Sequence, residues 1–308
     1  MKSRLFFKAV LLTLSVSVNA QPLNIGHVSV EMRDSERGNR KVPVDIYYPS
    51  EEGGYGAKVS KSPDEKYPVI CFAHGYLLHA DAYSNIWEAL VPEKYIMIFL
   101  KTETGMFPSH EALAEDMVFA LAEAGRYGRD RESMFYNLVD TMNCVMGHSM
   151  GGGASWLAAA KNPAAIKAVV PLTPLYSKAL SAETESIRTM PLLVISGSKD
   201  CITSTANHSM PIFHESAGDE KTLIEIKGGS HCQVGEKMAL CEMGEALSFC
   251  GASISKAEQH AVIERYLLPW LRHHLKGDVE AGELFDQTLP DDEAVSFFGI
   301  SRHLTPDT

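Results

Sequence analysis

Apolar and polar residues alternate in two early runs, Val28–Met32 and Pro43–Tyr48, the period-2 pattern of strands with one buried face. Asp34-Ser35-Glu36-Arg37-Gly38 between them has the composition of a turn, and residues 49–66, rich in Gly, Ser and charge, read as a surface loop. The pattern then changes. Tyr67–Ala73 (YPVICFA) is continuously apolar, which suits a strand covered on both faces of a parallel sheet. Helical spacing predicts helices over Ala82–Leu90, His110–Ala124, Met150–Ala160, Ser209–Ser216 and Ala257–Leu275. Between them fall short strand-like runs at Tyr95–Leu100, Asn143–Met146, Ile166–Val170, Pro191–Ile195 and Thr222–Ile226. Alternating strands and helices predict an α/β fold with a mostly parallel central sheet and helices on both faces. No repeat or linker divides the chain, so residues 21–308 are expected to form a single domain. The acidic tail after Gly277 either adds an edge strand or stays loose.

The first twenty residues stand outside this pattern. Lys2, Arg4 and Lys8 precede an apolar run from Ala9 to Val18, and Val18-Asn19-Ala20 offers the small residues of a cleavage site. The run is about half the ~20 residues that a membrane span needs, so a cleavable signal peptide over 1–20 is expected, with a secreted or periplasmic product. Its removal takes 28 Lys and Arg to 25 against 39 Asp and Glu, shifting net charge from −11 to −14. That acidity argues against nucleic acid and anionic membranes as partners. A monomer is expected.

Six cysteines in an exported chain sit where disulfides persist. Cys241 and Cys250 frame a short segment and are expected to form a local bridge. Cys201 and Cys232 each follow a candidate catalytic residue and are expected to pair with each other, while Cys71 and Cys144, in two apolar strands, are expected as buried thiols.

The candidate chemistry begins at Gly147-His148-Ser149-Met150-Gly151, a G-x-S-x-G run between a predicted strand and a predicted helix. A sharp strand–turn–helix junction strains the serine backbone and exposes its oxygen, as at the nucleophile of the α/β-hydrolase fold. A serine hydroxyl needs a base, and the base an orienting carboxylate, in the chain order Ser, acid, His. Asp200 falls just past the strand Pro191–Ile195 and His231 just past Thr222–Ile226, whereas His208, His214, His273 and His274 fall on or beside helices. Ser149, Asp200 and His231 are therefore the expected triad. Backbone N–H groups of Met150 and Tyr76 are the expected oxyanion donors, with His74 shaping the loop and His148 lining the floor. Only Tyr176–Met190 is available for an inserted cap, so no lid is expected. No metal or cofactor motif occurs.

These residues carry a family resemblance. HGY at 74–76, VMGHSMGGGAS at 145–155, LTPLY at 172–176, SKDCI at 198–202 and KGGSHC at 227–232 resemble the bacterial cutinases and poly(ethylene terephthalate) hydrolases, among the wider dienelactone-hydrolase relatives. The resemblance implies a serine esterase acting on soluble and polymeric esters, with Ser149, Asp200 and His231 as triad. It also implies that Tyr76, Leu175 and Ile202 line the substrate subsite. Leu175 departs from the pattern, standing where the polyester hydrolases usually carry a stacking Trp, and the segment with Cys241 and Cys250 departs as well. An amidase, lactone or dienelactone-type hydrolase using the same triad is the alternative, followed by a non-catalytic binding protein on the same fold.

Overall fold

The computed structural model describes residues 24–61, 65–176, 190–247 and 250–300. The leader 1–20 and most of the segment on which the lid expectation rests lie outside the described residues.

A ten-stranded sheet organises the chain, in the order β10-β9-β8-β7-β6-β4-β5-β2-β1-β3. Six neighbouring strands run parallel: β5 (Ile96–Leu100), β4 (Tyr67–Ala73), β6 (Val139–His148), β7 (Ala168–Leu172), β8 (Leu192–Gly197) and β9 (Lys221–Ile226). The hairpin β1 (Asn24–Asp34) and β2 (Arg40–Ser50) joins antiparallel to β5 at one side, with the short β3 (Gly54–Tyr55) beyond it. Every residue of β4, β5, β7 and β8 is buried, as their predominantly apolar sequences require.

Helices α1 (Ser84–Leu90), α2 (His110–Arg129), α3 (Met150–Lys161), α4 (Met210–Glu215), α5 (Ala239–Leu247), α6 (Lys256–Lys276) and α7 (Val279–Thr288) alternate with or follow these strands. Two apolar clusters occupy opposite faces of the sheet. One gathers Tyr48, Val145 and Trp156 with α2 and α3, and the other Phe72, Tyr83, Met146 and Trp270 with α1 and α6. This is the α/β-hydrolase arrangement expected from the sequence. The longest helix is bounded as its sequence dictates: Ser255 and Glu258 form a capping box at the start of α6, and Gly277 adopts the left-handed conformation at its end.

The tail resolves into α7 and a last strand, β10 (Val295–Ile300), antiparallel to β9. Of the two expectations for it, the edge strand is the one observed. The region before α1 begins with a 3-10 turn, Ala80–Tyr83, that buries Tyr83 beneath the C-terminal ends of the parallel strands.

Candidate active site

Ser149 sits between β6 and α3 with φ 56° and ψ −118°, a conformation strained for any residue with a side chain. Backbone bonds hold it there: its N–H donates to Leu172 O at 3.0 Å, and its carbonyl accepts from Gly153 N–H at 3.0 Å and Leu175 N–H at 2.7 Å. The glycines on either side are steric necessities. A Cβ on Gly147 would enter the Gly151 carbonyl, and one on Gly151 would enter the Ala73 carbonyl. The junction therefore tolerates no side chain where β4, β6 and α3 converge.

Asp200 and His231 come from the loops after β8 and β9, at the same edge of the sheet. His231 Nδ1 lies 2.8 Å from Asp200 Oδ2, and both residues are buried. Asp200 Oδ1 accepts from the N–H groups of Ile202 (2.9 Å) and Thr203 (2.7 Å). Burial pushes the Asp200 carboxyl up, but the His231 and Thr203 hydrogen bonds outweigh it and hold the group below the usual carboxylate range. The Thr203 hydroxyl lies 2.9 Å from each of Asp200 Oδ2, His231 Nδ1 and Thr173 O, stitching this pair to the end of β7. With Nδ1–H engaged by the carboxylate, the lone pair of the His231 ring is left on Nε2.

His148 connects this pair to the Ser149 turn. Its ring centroid lies 4.7 Å from that of His231. One directional chain of hydrogen bonds satisfies every donor: Gly75 N–H to Tyr83 Oη (2.8 Å), Tyr83 O–H to His148 Nδ1 (2.9 Å), and His148 Nε2–H to His231 O (3.2 Å). Burial, reinforced by the neighbouring His231, drives the His148 imidazole well below its usual range, so it is neutral as this chain requires. Tyr83 was not singled out in the sequence, because nothing there shows that a 3-10 turn aims its hydroxyl at His148.

The loop after β4 carries the remaining expected groups. His74 bridges the carbonyls of Gly75 and Thr102, each at 2.8 Å, so it shapes the loop. Tyr76 is half exposed and donates its hydroxyl to Met106 O at 3.0 Å. The N–H of Met150 belongs to the first turn of α3, where helical N–H groups lack intrahelical partners. Leu175 and Ile202 are bonded through their N–H groups to Ser149 and Asp200 respectively, which places these two expected subsite residues beside Ser149 and Asp200.

The cysteine pairing differs from the expected one. All four of Cys201, Cys232, Cys241 and Cys250 are bridged, but as Cys201–Cys250 and Cys232–Cys241, with Cα separations of 6.2 and 5.5 Å. Although Asp200 and His231 converge, the residues that follow them do not: Cys201 faces solvent and Cys232 turns inward. A local Cys241–Cys250 bridge is not formed either, because Cys241 is taken by Cys232 and Cys250 by Cys201. Cys71 and Cys144 are buried thiols, as expected. In the parallel register Cys71 sits opposite Val145, which puts Cys144 on the other face of the sheet and out of reach.

Glu245, on α5, was also missed. Only 4% exposed, its carboxylate accepts from the N–H groups of His231 and Cys232 and from the Ser230 hydroxyl. Burial pushes its carboxyl up against these bonds. The available signal was the i, i+4 spacing of Cys241 and Glu245, which puts a cysteine and a carboxylate on one helix face.

Residues 37–281 match the family described as PETase, PET hydrolase-like. The cutinase est2 of Thermobifida alba is 30% identical over 188 residues, 60% of this chain and 56% of that protein. A cutinase of Thermobifida fusca is 29% identical over 187 residues, again 60% of this chain and 56% of the relative. A bis(hydroxyethyl) terephthalate hydrolase of Streptomyces coelicolor is 23% identical over 234 residues, 76% of this chain and 62% of its own length. The chain thus spans little more than half the length of these cutinases.

Proposed function

We propose that this chain, which belongs to the PET hydrolase-like family, hydrolyses carboxylic esters through a Ser149–His231–Asp200 triad. The observation that carries the reading is the strained Ser149 turn coupled through His148 to a buried, hydrogen-bonded Asp200–His231 pair. Ser149 Oγ attacks the ester carbonyl while His231 Nε2 accepts its proton. The N–H groups of Tyr76 and Met150 stabilise the oxyanion of the tetrahedral intermediate. His231 then returns the proton to the leaving alcohol, and a water activated by the same imidazole releases the acid from the acyl-enzyme. Asp200 keeps the imidazole in the required tautomer and stabilises its cationic form.

The substrates proposed are short- to medium-chain esters and polyesters, aromatic ones included. Tyr76, Leu77, Met106 and Phe107 are exposed apolar side chains on two segments joined by the Tyr76–Met106 hydrogen bond, and Ile202 is exposed on the loop of Asp200. They suit contact with an apolar polymer segment. The relatives named as cutinases and as a terephthalate-ester hydrolase support the same class. Among the described residues no helix is long and apolar enough to cross a membrane. Export by the leader at 1–20, to periplasm or medium, is proposed from its sequence, and two disulfides suit an oxidising compartment.

Leu175 sets the expected limit on aromatic substrates. It provides apolar contact without ring stacking, which contributes ~0.5–1.5 kcal/mol beyond area burial, up to about tenfold in rate if expressed in the transition state. Short- and medium-chain esters and aliphatic polyesters should turn over well, and an aromatic polyester more weakly. Leu175→Trp should raise the ratio of aromatic-polyester release to short-ester hydrolysis by up to about tenfold. The check is that ratio for both proteins at one temperature; an unchanged or lower ratio would show that aromatic selectivity lies elsewhere.

A further inference from the structure

Glu245 takes no part in the hydrolytic steps, yet it is as deeply buried as the residues that do. One carboxylate oxygen accepts from His231 N–H at 2.9 Å and Cys232 N–H at 3.2 Å, and the other accepts from Ser230 Oγ at 2.9 Å. From α6, Gln259 accepts the Ser230 N–H at 2.9 Å and donates to the Ser230 carbonyl at 2.8 Å. The His231 carbonyl is taken by His148 at 3.2 Å. The main chain from Ser230 to Cys232 is thus held largely by side chains; Glu245 supplies two of those bonds and a third to the Ser230 hydroxyl.

The segment that delivers Glu245 is fixed on both sides. Cys241, one helical turn earlier on the same face of α5, is bridged to Cys232 beside the base. Cys250, five residues later, is bridged to Cys201 beside the acid. A residue that merely filled the space between α5 and this loop would be apolar, because a buried carboxylate carries a desolvation cost that only well-placed donors offset. Here all three donors come from the loop of the base.

We propose that Glu245 is a positioning residue for ester hydrolysis: it clamps the backbone at His231 so that the imidazole is aligned with Ser149. The two disulfides hold the clamp against both triad loops. This inference rests on the triad assignment above. Because the clamp works through reach and hydrogen-bond acceptance, substitutions at this one position should rank in a particular order.

The experiment compares Glu245→Gln, Glu245→Asp and Glu245→Ala in the full-length, oxidised protein, using a soluble p-nitrophenyl ester well below each melting temperature. Glutamine keeps the length, its amide oxygen can accept both N–H groups, and its NH2 can donate to Ser230 Oγ, so kcat should stay within about threefold of the parent. Aspartate keeps the charge but is one methylene short, and should lose about tenfold, whereas alanine releases the loop and should lose about 10²-fold, the effect of misplacement on the order of 1 Å. KM should stay within about twofold throughout. The proposal is overturned if Asp outperforms Gln, if Ala retains the parent kcat, or if the loss appears in KM. Should the Ala variant fail to fold, the order of Gln and Asp decides. An inactive parent protein, or an active Ser149→Ala protein, would refute the triad assignment itself and is read separately.

Discussion

Replacing Ser149 with alanine should lower ester turnover by roughly 10⁶-fold, the loss seen when a triad serine is removed. In the proposed triad this side chain supplies the oxygen that bonds to the acyl carbon, and no other hydroxyl is placed on a strained turn between β6 and α3. The substitution removes one atom at a site that is 8% exposed, and the hydrogen bonds that fix the turn run through its main chain. The far-ultraviolet circular dichroism spectrum should therefore match that of the parent. Turnover of a p-nitrophenyl ester checks the prediction: a folded variant within about a hundredfold of the parent would transfer the nucleophile's role elsewhere.

Asp200→Asn should cost about 10⁴-fold in kcat, because a triad needs one imidazole tautomer and an amide offers the other. Asp200 Oδ1 accepts two backbone N–H groups, whereas Oδ2 accepts from His231 Nδ1. An asparagine that keeps its oxygen toward Ile202 and Thr203 must turn its NH2 toward His231. Nδ1 would then accept, the imidazole proton would move to Nε2, and the base would have no lone pair for Ser149. Flipping the amide restores the His231 bond only by facing its NH2 at the two backbone donors. Both orientations fail, so the loss should persist across the pH range in which the parent is active. Measuring kcat for folded protein tests this, and a loss below about tenfold would show that Asp200 does not set the tautomer.

The parts of the fold most legible in the sequence are those set by burial on both faces. Tyr67–Ala73 reads as a strand with the bounds observed for β4, because unbroken apolar composition leaves few alternatives. G-x-S-x-G is similarly informative, since Gly147 and Gly151 stand where carbonyl groups leave no room for a Cβ. Asp200 and His231 stand out because each follows a predicted parallel strand, and parallel strands deliver their following loops to one edge of the sheet.

Other features depend on side-chain direction, which the sequence does not display. The four bridged cysteines are recognisable as a set, but their pairing turns on Cys201 facing outward while Cys232 faces inward. Helix α5 inverts the usual amphipathic logic: Leu240, Met243 and Leu247 are exposed while Glu245 is buried. Periodicity alone would place the leucines inside, whereas the disulfide at Cys241 fixes the opposite face against the base's loop. The short acidic helix α7 escaped notice because its inward contacts reduce to a few residues, among them Ala281 and Phe285, in a polar stretch.

The most direct test of the central claim is covalent capture of the nucleophile with a fluorophosphonate, followed by peptide mass spectrometry. The reagent bonds to a serine oxygen only where a neighbouring base activates it. The triad account predicts a single stoichiometric adduct on the peptide containing Ser149, loss of ester hydrolysis in step with labelling, and no adduct in Ser149→Ala. An active protein that stays unlabelled, or that carries the adduct on a different residue, would contradict it.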